Sequence, residues 1–154
     1  REPFRFTPPE GVRRVELVLL LSGHGQSTFD GCAEWCDHRH HLSVNGQPLP
    51  VIKHEGNLGS KAGCAAYAAQ GVSPGQYGNW APERAFWCPG LPVEPIRVDL
   101  TAHVTPGQES QLTYHATLGE EGAPRGGDVI ETIGSAWVLC GVETTHLQPC
   151  STSA

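Results

Sequence analysis

The chain has 154 residues, 38% of them apolar, and a formal net charge of -6. That length suits one domain with a buried core. The acidic balance, with only Lys53 and Lys61 as lysines and no basic run, argues against a nucleic-acid partner, because phosphates demand clustered Lys and Arg. The longest apolar run, Val15 to Leu21, contains Glu16 and is far too short to span a bilayer.

In chain order, residues 1–9 are polar and Pro-rich and read as an extended lead-in; Arg1 in place of Met reads as a processed or trimmed start. Arg14 to Ser22 is rich in branched residues and opens with alternation, so a strand is expected, ended by Gly23-His24-Gly25. His40 to Asn45 alternates and runs into Asn45-Gly46, a strong hairpin signal, with Val51 to Lys53 as a short return. Ser60 to Gly71 is Ala-rich and long enough for one helical turn. Val72 to Gly90 reads as loop, from its glycines and prolines. Pro95 to Leu100 and Gln111 to Thr117 alternate again, and Asp128 to Val142 holds one or two closing strands. Many short strands with frequent turns, in a chain with 19 Gly and 13 Pro, imply an all-β sandwich or barrel.

Six cysteines form an even set: Cys32 and Cys36, Cys64 and Cys88, Cys140 and Cys150. Sequential pairing is the most economical of the 15 connectivities. A zinc site is the competing reading, but there is no CxxC pair and the histidines lack finger spacing. Disulfides are favoured, and with them an oxidising compartment: secreted, periplasmic or cell-surface.

Two segments concentrate chemistry. Gly31-Cys32-Ala33-Glu34-Trp35-Cys36 sets an acid and an indole in a loop that a disulfide can close. Gly78 to Gly90 (Gly-Asn-Trp-Ala-Pro-Glu-Arg-Ala-Phe-Trp-Cys-Pro-Gly) adds an arginine and two tryptophans. A carboxylate and a guanidinium fork take hydroxyls, and a flat ring covers the apolar face of a sugar.

These two segments resemble the C-terminal domain of the bacterial peptide-N-glycosidase F family. Leu21 to Gly25, the Val44-Asn45 strand end, Ile96 to Asp99 and Asp128 to Val142 fall in the same order, so the resemblance covers most of residues 8–142. It implies an antiparallel jelly-roll β-sandwich of about eight strands over residues 10–143, with 144–154 as a C-terminal tail, and a fold shared with peptidylglycine monooxygenases. It also implies cleavage of the bond between an asparagine side chain and the first N-acetylglucosamine, at a cleft between two jelly rolls. The resemblance reaches only the second jelly roll, whereas the family's catalytic aspartate sits on the first. A lone chain is therefore expected to be inactive, and no cofactor is implied.

By resemblance, Glu34 and Arg84 are the catalytic candidates and Trp35 the substrate-binding one; Trp80 is a second substrate-binding candidate as a ring able to stack on sugar, with packing of the long loop as its alternative. The bland alternatives are a loop acid for Glu34, aromatic plugs for the tryptophans, and an ion pair with Glu83 or Asp37 for Arg84. Trp87 reads as a packing residue and Trp137 as core. His24, His38 and His40 are weak metal candidates: His38 and His40 share a strand face, two ligands are too few without His24 or His54, and the chain has no Met for a His2Met copper site. The favoured reading makes His40 buried and hydrogen-bonded, with His38 and His41 on the surface. Glu120, Glu121 and Asp128 read as a solvated acidic loop rather than a Ca2+ site. Three function classes stand at this point. They are an N-glycan amidase half needing a partner jelly roll, a glycan- or glycoprotein-binding module, and a self-associating surface subunit.

Overall fold

The computed structural model describes residues 2–26, 38–54, 64–73, 84–118, 129–143 and 146–151. Among them nine strands form: β1 (Phe4–Phe6), β2 (Arg14–Gln26), β3 (His38–Val44), β4 (Gln47–Pro48), β5 (Ile52–Lys53), β6 (Ile96–Asp99), β7 (Ser110–Leu118), β8 (Val129–Glu143) and β9 (His146–Pro149). One sheet runs β1-β7-β3-β4, with β5 also on β3; the other runs β6-β2-β8-β9. The pairings are antiparallel, as expected for the sandwich.

Side chains alternate across a strand, and the core follows that period. Val15, Leu17, Leu19 and Leu21 of β2 face inward with Val138 and Cys140 of β8, and meet Leu42 and Val44 of β3, Leu112 of β7 and Phe6 of β1. On β3 the inward set is His38, His40, Leu42 and Val44, so the upper half of this strand buries imidazoles where the lower half buries aliphatics. Asn45 (φ 51°) and Gly46 (φ 79°) make the tight turn to β4 that their dipeptide announced. The Asn45 carboxamide also accepts the Gln111 N–H at 2.9 Å, tying the turn to β7.

Burial of Glu16 on the opposite face of β2 looks costly, since its side chain is only 2% exposed. Two half-exposed arginines compensate it: Arg14 at 2.5 Å and Arg97 from neighbouring β6. Each carboxylate oxygen thus has its own cationic partner, the condition under which a buried charge is tolerated.

The structure departs from the sequence reading in four places. Residues 4–6 are an edge strand with Phe6 fully buried, and 146–149 pair with β8 as β9. The two ends then meet, Thr7 N–H donating to the Ser151 carbonyl at 2.9 Å. Apolar anchors at Phe6 and Cys150 draw both ends into the sandwich. Second, β2 does not stop at Gly23; it continues to Gln26 because β8 supplies a partner residue at each step down to Val129. Third, Trp137 is 44% exposed rather than core. Val138 and Cys140 take the inward phase of β8, which turns Trp137 outward. Fourth, His38 is only 1% exposed, not a surface residue. It shares the inward face with His40, and His41 points the other way to stack on His115 at 4.6 Å.

Cys64 pairs with Cys88 and Cys140 with Cys150, in the sequential order expected. The first bridge ties the 3-10 helix Cys64–Gln70, where the Ala-rich stretch predicted a helical turn, to the segment after Trp87. The second fixes the end of β9 to β8. Cys32 and Cys36 lie outside the described residues.

Candidate functional site

Arg84-Ala85-Phe86-Trp87 is a four-residue turn closed by two backbone hydrogen bonds. Arg84 N–H donates to Trp87 O at 3.1 Å and Trp87 N–H to Arg84 O at 3.0 Å. Phe86 takes φ 66°. That conformation at the third position of a turn normally belongs to Gly or Asn, and an L-residue there costs roughly 1–2 kcal/mol. The surroundings must hold it.

Three supports do so. From the second sheet, Gly23 of β2 donates its N–H to Ala85 O at 2.9 Å, and its carbonyl accepts Trp87 Nε1–H at 3.0 Å. A Cβ on Gly23 would sit 2.4 Å from Ala85 Cβ and 2.8 Å from His38 Cε1, so only glycine permits this approach. From the first sheet's side, His54 Nδ1 accepts the Phe86 N–H at 3.4 Å, and His54 is itself fixed by donating its backbone N–H to His38 O at 2.8 Å. Behind the turn, the Cys64–Cys88 bridge and the Ser73 N–H···Pro89 O bond at 3.0 Å hold the outgoing chain.

Under the turn lies an aromatic and imidazole floor. The Phe86 ring meets His40 edge-on at 5.1 Å and tilts against His54 at 5.2 Å. His40 stacks on Tyr114 of β7 at 5.8 Å, and its Nδ1 bonds the Tyr114 hydroxyl at 2.8 Å. Burial, then the neighbouring imidazoles of His38, His41 and His54, push His40 down to about 4. This floor is neutral at neutral pH as far as His40 is concerned. Among the described residues no group of three or more His, Cys, Asp or Glu is placed to hold a metal ion.

Arg84 is 6% exposed, and its guanidinium lies over the Trp87 ring, 5.0 Å from the centroid. Such a cation–π contact holds the guanidinium against the indole. Trp87, expected as a packing residue, is half-buried and does pack, with its indole N–H used internally. His24 falls on β2 beside Gly23, opposite Glu131 in register. His38 and His40 lie together on the inward face of β3, their rings 6.4 Å apart. Glu34, Trp35 and Trp80 lie outside the described residues, as do Asp37, Glu83, Glu120, Glu121 and Asp128. Gly23, His54, Phe86 and Tyr114 as supports of the turn were not anticipated. The positive φ of Phe86 leaves no mark in composition, and the Gly23–Ala85 approach joins residues remote in sequence.

The family description "Peptide-N-glycosidase F, C terminal" matches residues 1–133. The chain is 35% identical over 111 residues to peptide-N(4)-(N-acetyl-beta-D-glucosaminyl)asparagine amidase F of Elizabethkingia miricola, an alignment covering 69% of this chain and 29% of that protein. This chain therefore spans less than a third of that relative. Its fold is that of PNGase F, a glycosylasparaginase from Flavobacterium meningosepticum, with a TM-score of 0.71, 24% identity, and coverage of 100% of this chain and 47% of the other. PNGF-II is also similar in fold, with a TM-score of 0.60 at 18% identity, covering 90% of this chain and 24% of the other. With the match running through the β2 strand end, the Glu34 segment and the Arg84 turn alike, the chain belongs to the peptide-N-glycosidase F C-terminal domain family.

Proposed function

We propose that this chain forms one half of an N-glycan amidase site, completed by a second jelly roll that contributes the catalytic aspartate. The observation that carries the reading is the family match over residues 1–133, which spans both chemistry-bearing segments. In this reading, water adds to the Cγ carbonyl of the glycosylated asparagine and the Cγ–Nδ2 bond breaks. Aspartate remains on the peptide and a glycosylamine leaves, with the proton lost by water transferred to the departing nitrogen.

Glu34 orients the water or polarises the amide, ordinary carboxylate work. Arg84 takes a carboxamide, acetyl or hydroxyl oxygen with its fork. Trp35 covers the apolar face of the first sugar, with Trp80 as a second aromatic contact. The partners are an N-linked glycan or glycoprotein and a second jelly roll. Two disulfides closed within the described residues support an oxidising setting, secreted, periplasmic or at the bacterial cell surface.

The test is mass spectrometry of an N-glycosylated peptide incubated with the chain alone, with the chain plus a folded first domain of a relative, and with a Glu34→Gln variant in both settings. Glycan release with Asn converted to Asp only in the complemented, unsubstituted sample is the expected result. No release on complementation would overturn the amidase reading. Retained glycopeptide binding in that case would favour a binding module without chemistry.

A further inference from the structure

We propose that His54 is a positioning residue for Arg84: its Nδ1 lone pair holds the Arg84–Trp87 turn closed, and protonation of His54 releases the turn. The inference rests on the reading of Arg84 as a ligand-facing residue, but its structural part stands without it.

The argument begins with hydrogen-bond chemistry. Phe86 N–H is a donor, so His54 Nδ1 must be an acceptor. That fixes the neutral tautomer with its proton on Nε2, since an imidazolium offers only donors. Protonating Nδ1 would set two N–H groups head to head. The bond in question serves the residue that adopts the unfavourable φ of 66°. Its loss removes the His54 hydrogen bond to the turn and leaves the Gly23 contacts of the second sheet and the Cys64–Cys88 anchor to hold it.

Among the described residues, His38 and His40 of β3 are the titratable groups tied to His54: its backbone N–H donates to His38 O, and the Phe86 ring lies against both His54 and His40. Two imidazoles of β3, His38 and His41, and His54 itself each disfavour protonation of His40. The Phe86 ring wedged between His40 and His54 transmits any shift of either imidazole to the turn.

The test separates acceptor chemistry from simple space filling. In His54→Asn the carboxamide oxygen reaches the place of Nδ1, accepts the same N–H and cannot titrate. In His54→Gln the carboxamide reaches the place of Nε2 and fills more volume. The readout is NMR of the Phe86 amide and the Trp87 indole N–H, followed from about pH 8 to about pH 4, with amides of β2 and β8 as reporters of the global fold. In the unsubstituted chain both turn signals should move together on acidification, ahead of the strand amides. In His54→Asn they should stay at their neutral positions over that interval. His54→Gln should have lost them already at neutral pH.

Titration of His54→Asn like the unsubstituted chain, or a turn equally intact in His54→Gln, would overturn the proposal. So would a ring-nitrogen spectrum of the unsubstituted chain showing His54 protonated on Nδ1 at neutral pH, a measurement that needs no variant to fold. Affinity for a chitobiose-bearing glycopeptide should fall with acid in the unsubstituted chain and not in His54→Asn. Absence of glycopeptide binding beside a turn that behaves as described would count against Arg84 as a ligand and leave the positioning role supported.

Discussion

Gly23→Ala is the sharpest test of how the Arg84 turn is mounted. The added methyl carbon would lie 2.4 Å from Ala85 Cβ, 2.8 Å from His38 Cε1 and 3.0 Å from His38 Nδ1. Neither neighbour is a flexible chain end: Ala85 is fully buried in a doubly closed turn and His38 sits on a paired strand. The turn must therefore move away from β2. Overpacking of this kind costs about 1–3 kcal/mol. Withdrawal also weakens two hydrogen bonds, Gly23 N–H to Ala85 O and Trp87 Nε1–H to Gly23 O, each contributing about 0.5–1.5 kcal/mol. A loss of roughly 2–6 kcal/mol follows from these terms. Urea unfolding of the purified chain with disulfides intact measures it, with the Trp87 indole resonance reporting whether the turn has lifted. A variant within about 0.5 kcal/mol of the unsubstituted chain, with that resonance unmoved, would refute the reasoning.

Opening the Cys140–Cys150 bridge by a double Ser substitution frees a ten-residue separation, and loop-closure entropy puts the loss near 3 kcal/mol; denaturant titration and loss of β9 amide protection are the checks. Phe6→Ala should cost about 3–5 kcal/mol, because the ring is fully buried where the first strand joins the core. Trp137→Ser should cost less than about 1 kcal/mol, since that residue is exposed; comparable losses for the two would refute the assignment of faces on β8. Acidification should destabilise the chain through His40. Its folded value of about 4 lies below its ordinary 6.5, so the unfolded state binds the proton first, and stability present above 6.5 is lost as pH falls toward 4. At about 1.4 kcal/mol per pKa unit this reaches about 3 kcal/mol, and His40→Gln should flatten that part of the stability–pH curve.

The fold was largely legible because its strands carry the period-2 signal of a half-buried sheet. Val15, Leu17, Leu19 and Leu21 announce β2, and Asn45-Gly46 announces its turn. The same period decides the two positions where residue type points the other way. His38, though polar, shares the face of buried His40, and Trp137, though apolar, opposes the face of Cys140. The strands at Phe4–Phe6 and His146–Pro149 leave no signal in the sequence for another reason. Each is a short edge strand whose partner is remote in sequence, and a three- or four-residue segment carries too few positions to show a period. The Arg84 segment stands out in the sequence as a motif, but its mechanics do not. Nothing local to Phe86 reveals a positive φ, and nothing local to Gly23 reveals that Ala85 lies against it.

Those mechanics bear on the proposed half site. The Arg84 turn is not carried by one loop. Gly23 from the second sheet and His54 beside the first converge on four residues, and the Cys64–Cys88 bridge anchors the exit. Among the described residues, the Arg84 turn is thus held from both sheets. If the amidase reading is right, complementation by a first domain adds missing groups to a preformed surface rather than shaping it. That distinction is measurable. Addition of the partner domain should leave the Trp87 indole and Phe86 amide signals sharp and no more protected from exchange than before, apart from shifts at contact residues. A turn that becomes ordered only on complementation would show that the second domain builds the site, and the sheet-to-turn coupling described here would not be its determinant.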